Sequence, residues 1–198
     1  SNDISKLIPG KAQYNYLPNK EGGVVDDLIV YQTHAEKYLL VVNASNVEKD
    51  WNHILKQNQK FEAKLENASE KTALLAIQGP KALTAMQPIC NAQLDQLANY
   101  SHVTTTFAGV KNVLVATTGY TGAGGIEIYF DVAQAEKIWK AVMKAGKEFS
   151  VLPVGLAARD TLRLEMGYCL YGNEIDEQTS PISARLGWVT KPHTGFLN

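Results

Sequence analysis

A chain of 198 residues with 45% apolar and 20% charged side chains has enough material for one large domain or two small lobes, and should enclose about 70% of its unfolded surface. Its net charge of −1 gives no electrostatic basis for a nucleic-acid or anionic-membrane partner. No apolar run approaches the length of a membrane span, and the opening residues lack a signal-peptide core. Cys90 and Cys169 lie far apart in apolar sequence, which predicts free thiols and a reducing, cytoplasmic setting. The histidines, at positions 34, 53, 102 and 193, share no metal-ligand spacing, so no metal site is expected.

In chain order, Ala12 to Leu17 alternates like a strand, with Tyr14 and Tyr16 on one face. Pro18 to Gly23 is turn chemistry. Val24 to Tyr31 predicts a long second strand and Lys37 to Asn43 a third, together an antiparallel meander. Ser45 and Glu48 have capping-box spacing ahead of a helix that places Val47, Trp51, Ile54 and Leu55 on one face. Phe61 to Leu65 reads as a further strand.

A second lobe is predicted to begin near Lys71, giving lobes at 1–69 and 70–198. Thr72 to Ile77 is a buried type of strand, and Gln78-Gly79-Pro80 opens a short helix that Pro88 closes. Val103 to Phe107 and Asn112 to Thr117 are strands around a turn at Gly109. Asp131 precedes a helix with Ile138, Trp139, Val142 and Met143 inward and Gly146 as its stop. The expected class is α+β, two lobes of antiparallel sheet with packed helices, the second ferredoxin-like.

Three stretches carry the chemistry. Thr117 to Gly125 holds four glycines between an apolar strand and the alternating run Ile126, Glu127, Ile128, Tyr129, Phe130. This predicts a hairpin that fixes the Glu127 carboxylate just inside its second strand. Because the loop runs from strand to strand, it is not the phosphate cradle at a helix N-terminus. Asp26-Asp27 interrupts a strand of aliphatic and aromatic residues. Aspartate is poor strand material, and the pair reads either as a solvated edge with a salt bridge or as a carboxylate displayed on an apolar floor. Gly155 to Tyr168 has a helical core with charges among leucines, Arg159 and Arg163 lying one turn apart. It reads either as a face laced by ion pairs or as a buried Arg anchoring a ligand oxygen.

These blocks, with Gly10-Lys11-Ala12-Gln13-Tyr14, Val41-Val42-Asn43-Ala44-Ser45-Asn46, Gln78-Gly79-Pro80, Thr118-Gly119-Tyr120-Thr121-Gly122 and Ala158-Arg159-Asp160, occur in one order along nearly the whole chain. In that order they resemble the folate-dependent aminomethyltransferases, the T proteins of the glycine cleavage system. Relatives of that superfamily that maintain iron–sulfur enzymes carry a Lys-Gly-Cys-Tyr signature, which Tyr168 to Ile175 lacks. The alternative reading, a folate-binding module without transferase activity, therefore stands second. The chain departs from the family at Ala123, at Ala157, and at Ser183-Ala184-Arg185. Family members extend beyond this stretch at both ends and carry a C-terminal barrel domain, so a folate-binding portion of a longer enzyme is expected.

The resemblance implies transfer of a methylene carbon from an aminomethyl group on a lipoyl carrier (H) protein to tetrahydrofolate, with release of ammonia and without a metal. It makes Asp27 the catalytic carboxylate, beside the nitrogens that receive the carbon. It gives Glu127 the two N–H donors of the pterin edge and Arg159 an oxygen of the folate. Tyr14, Tyr31, Tyr120 and Tyr168 become aromatic walls or hydroxyl donors, and Asn43 an amide contact. On this reading the two carboxylates, one from each lobe, face one cavity sized for a pterin.

Overall fold

The computed structural model describes residues 1–194, which fall into two units. One comprises Ser1–Asn67 together with the segment from Cys169 on; the other is Ala68–Tyr168.

In the first unit three antiparallel strands, β1 (Ala12–Pro18), β2 (Val24–His34) and β3 (Lys37–Val42), lie in the order β1-β2-β3. The expected meander forms, and Asp26-Asp27 sits on its central strand rather than on an edge. The β1–β2 link is held by Asn19, whose Oδ1 accepts from the N–H groups of Glu21 and Gly23 at 3.0 and 2.8 Å. Helix α1 (Val47–Asn58) follows without the expected capping box, because Asn46 at its N-cap turns its amide to the Asp26 carboxylate instead. No strand forms over Phe61 to Leu65. There the chain leaves the helix through Glu62 at φ 53°, and the Asn58 side chain bonds both the N–H and C=O of Ala63, at 2.9 and 2.8 Å. Backbone groups satisfied locally by one side chain have no ladder to join.

The tail, expected with the second lobe, belongs to the first unit. Its Ile175, Leu186 and Val189 form one buried cluster with Tyr16 and Val24. The Val24 N–H donates to the Asp176 carbonyl at 2.9 Å, and the Tyr16 hydroxyl to Thr190 Oγ1 at 3.1 Å. A three-stranded sheet with one helix leaves apolar surface open, and the tail fills it. The first boundary falls two residues from the expected one.

The second unit is a four-stranded antiparallel sheet, β4 (Thr72–Gln78), β5 (His102–Phe107), β6 (Val110–Ala116) and β7 (Gly125–Asp131), in the order β4-β7-β6-β5. Ile126, Ile128 and Phe130 of β7, with Val113 and Val115 of β6, face a core shared with α2 (Ala82–Met86) and α3 (Ala135–Gly146). On α3, Ile138 and Val142 are buried as expected, whereas Trp139 stands on the half-exposed flank. The helix-on-sheet layering of a ferredoxin-like lobe is present. Its last two strands are joined by a hairpin, and α3 comes after both. A fourth helix, α4 (Leu156–Glu165), closes the unit. The class is α+β, with both sheets antiparallel. Cys90 and Cys169 are free thiols. Among the described residues no helix is long and apolar enough to cross a membrane.

Candidate functional site

In the first unit the site is built around Asp27. Strand alternation puts Asp26 and Asp27 on opposite faces of β2. Tyr14 lies opposite Ile29 and Tyr16 opposite Asp27 in the β1–β2 register, so both tyrosines share the Asp27 face. The Tyr14 hydroxyl donates to Asp27 Oδ2 at 2.9 Å. Asn43, the residue after β3, donates its amide to Asp27 Oδ1 and to Asp26 Oδ1, both at 2.8 Å. Two fixed donors therefore aim a half-buried carboxylate. Burial raises its proton affinity above that of an ordinary aspartate; the Tyr14 and Asn43 bonds oppose the shift, and the Asp26 charge adds to it. The ring of Trp188 stacks on that of Tyr14, centroids 5.7 Å apart. Tyr31, four residues along β2 from Asp27, is wholly enclosed in the packing of the sheet, so its ring offers no open surface for a ligand.

The second unit holds its own cluster. Glu127 and Tyr129 project from the face of β7 opposite the core, Glu127 pairing with Ala76 on one side and Ala116 on the other. The Thr118 hydroxyl donates to Glu127 Oε2 at 2.5 Å. Burial again pushes the carboxyl above its usual range, opposed by the Thr118 bond, the nearby Arg159 charge and Tyr129. The Arg159 guanidinium lies over the Tyr120 ring, 4.4 Å from its centroid, and Tyr120 stacks with Tyr168 at 5.9 Å. The pair of arginines divides its work. Arg163 is the buried one, donating to Asp160 Oδ1 from Nε at 2.8 Å and Nη2 at 2.7 Å and to the Tyr168 carbonyl at 3.1 Å. Arg159 is exposed and keeps its fork available.

Of the residues singled out in the sequence, Asp27, Tyr14 and Asn43 come together in the first unit and Glu127, Arg159, Tyr120 and Tyr168 in the second. Sequence reading missed Thr118, Trp188, Asn46, whose amide reaches the Asp26 carboxyl, and Asp50, buried on α1. The signal for Asp50 was available: with Val47 three residues before and Ile54 four after, it lies in the inward stripe of α1.

Residues 1–194 match the GCVT N-terminal domain. An aminomethyltransferase of Bacteroides thetaiotaomicron is 57% identical over 200 residues, covering 100% of this chain and 55% of that protein. One of Flavobacterium psychrophilum is 56% identical over 198 residues, with the same coverage of each. The solved glycine cleavage system aminomethyltransferase T from Bartonella henselae superposes with a TM-score of 0.83 at 33% identity, over 96% of this chain and 50% of that one. The chain spans about half the length of the curated relatives it matches. With a domain match along its whole described length, this chain belongs to the GCVT N-terminal domain family.

Proposed function

We propose that the chain is the folate-binding portion of an aminomethyltransferase. In the reaction an aminomethyl group on the lipoyl sulfur of a carrier protein gives its carbon to N5 and N10 of tetrahydrofolate. The C–S bond and the original C–N bond break, and two new C–N bonds form. Of the two folate N–H protons, one ends on the sulfur and one on the departing ammonia. The names of its relatives support a transferase over a binding module without chemistry.

The observation that carries this reading is the Asp27 carboxylate, held by Tyr14 and Asn43 on the central strand. A fixed negative charge stabilises the positive charge that builds at the transferring carbon, and a carboxylate of raised proton affinity takes up a folate proton more readily than an ordinary one. The two oxygens of Glu127, steadied by Thr118 and Tyr129, lie side by side and suit the paired N–H donors of an aminopyrimidinone edge. Arg159 serves a folate oxygen, with Tyr120 and Tyr168 as the wall against the ring system. Trp188 extends the aromatic surface beside Tyr14. No step needs a metal, and the setting we propose is the cytoplasm.

Calorimetric titration of the chain with tetrahydrofolate tests the binding half of the proposal, with saturable heat expected and its absence counting against it. In the whole protein, ammonia release from an aminomethylated lipoyl carrier tests the chemistry. Binding without ammonia release leaves the non-catalytic folate module as the answer.

A further inference from the structure

Behind Asp27, within the first unit, lies a carboxyl that the chemistry above does not use. Asp50 is the one buried residue of α1, with 1% of its surface exposed. Among the described residues no N–H or O–H group reaches either of its oxygens. The group it faces is the carboxyl of Asp26, itself wholly enclosed. Asp26 takes donors from Asn43 Nδ2 at 2.8 Å, Asn46 Nδ2 at 2.9 Å and the Asn43 N–H at 3.2 Å. The charged groups that act on Asp50 are Asp26 and Asp27 from β2 and Lys49 from its own helix. Lys49 is occupied elsewhere, its Nζ donating to the Val25 carbonyl at 2.5 Å and lying 3.8 Å from the centroid of the Tyr171 ring.

Two enclosed carboxyls side by side cannot both ionise at ordinary pH; a proton shared between them removes the repulsion and supplies the missing donor. The N-terminus of α1 favours an anion in its first turn, but burial and two like charges outweigh it. We propose that Asp50 is a positioning residue for Asp27: it keeps its proton in the folded chain, donates it to Asp26, and so fixes the Asp26–Asn43–Asp27 chain of hydrogen bonds that aims the catalytic carboxylate.

Asp50 is pushed from 3.8 up to about 8, first by burial, then by its hydrogen bond and charge contact with Asp26. Between those values the folded chain holds a proton that the unfolded chain has released. The stability from this group is therefore whole below pH 4, falls as pH rises through the window, and levels off above about 8. The role assigned to Asp27 rests on the reading under Proposed function, while the shared proton does not.

The test is a carbon-13 NMR titration of the aspartate carboxyls in the ligand-free chain, in wild type and in Asp50→Asn, with thermal unfolding of both across pH 4 to 9. Asparagine keeps the donor to Asp26 and cannot ionise. In wild type the Asp50 carboxyl is expected to titrate near pH 8, with a second inflection in the Asp27 signal at the same pH. In Asp50→Asn that inflection disappears, and the melting temperature falls less steeply between pH 4 and 8 than in wild type, keeping only the share that Asp27 and Glu127 contribute. Titration of Asp50 below pH 5 would overturn the shared proton, and an Asp27 signal identical in the two proteins would overturn the positioning role. Should Asp50→Asn not fold, the wild-type titration alone decides, through the presence or absence of the common inflection. Failure of tetrahydrofolate to bind would remove the folate reading and leave the carboxyl result standing.

Discussion

At the scale of single residues, charge and shape separate the side chains we propose for the chemistry from those that hold them. Asp27→Asn keeps the size of the side chain and still offers an oxygen to the Tyr14 hydroxyl, so tetrahydrofolate binding should change by no more than about 1–2 kcal/mol, on the scale of one hydrogen bond. Turnover in the whole protein should fall about 10²–10⁴-fold, since the proposed proton acceptor is gone. Calorimetry beside steady-state rates checks both, and turnover within a few-fold of wild type would remove Asp27 from catalysis. The arginines make a second contrast. Arg163→Met strips the Tyr168 carbonyl of a donor and breaks a buried guanidinium's pairing with Asp160. It should cost about 1–3 kcal/mol of stability in thermal or urea unfolding. Arg159→Met should leave stability nearly unchanged, because that side chain is exposed. Instead it should weaken tetrahydrofolate binding about 10- to 150-fold, the 1.5–3 kcal/mol scale of hydrogen bonds to charged groups. Equal loss of stability in the two variants would contradict this division. Sequence alone identified the pair but not which member is buried, because one-turn spacing puts both on the same side and only packing decides depth.

At the scale of elements, the hairpin between β6 and β7 shows why glycine clusters before Glu127. Gly125 sits at φ +133°, and a Cβ there would strike the Ile77 carbonyl oxygen of the neighbouring strand. Gln78 locks the same corner, its Nε2 donating to the carbonyls of Thr118 and Ile126 at 3.2 and 3.1 Å. Gly125→Ala must therefore bend the backbone or part β4 from β7, and should cost about 1–3 kcal/mol or more from the strained conformation alone. Urea denaturation measures that loss, and a variant as stable as wild type would refute the account. This element was readable in advance because two-residue alternation and a glycine run are local signals. Helix α1 was only half readable. Its apolar stripe announced the helix, but the buried member of that stripe is an aspartate, and Asn46 gives up its capping role to reach Asp26. A side chain recruited by a strand twenty residues away leaves no local trace. The strand expected at Phe61 to Leu65 failed for the opposite reason: alternation was present, but no partner strand or buried face was there to use it.

On the scale of the whole molecule, chain order and packing part company at Cys169. The second unit is one continuous segment, and its core from Ile77 to Val151 is complete within it. The first unit is discontinuous, and Tyr16 and Val24 are sealed by Ile175, Leu186 and Val189 from the far end of the sequence. Sequence reading assigned the tail to its neighbour in the chain because a short apolar segment with few regular elements carries no address; only the open face of a small sheet gives it one. The consequence is an asymmetry in folding. A piece spanning 68–168 should unfold cooperatively on heating, while a piece spanning 1–67 should not, since its sheet has lost one side of its core. In the intact chain, Val189→Ala or Ile175→Ala should destabilise the first unit by about 1–4 kcal/mol through the cavity left beside Tyr16. Amide hydrogen exchange can assign that loss. Protection should drop along β1 and β2, where Tyr16 and Val24 lie, and stay unchanged along β6 and β7. Loss of protection spread evenly over both sheets would mean that the two units unfold as one, and the tail's allegiance to the first sheet would then explain nothing about stability.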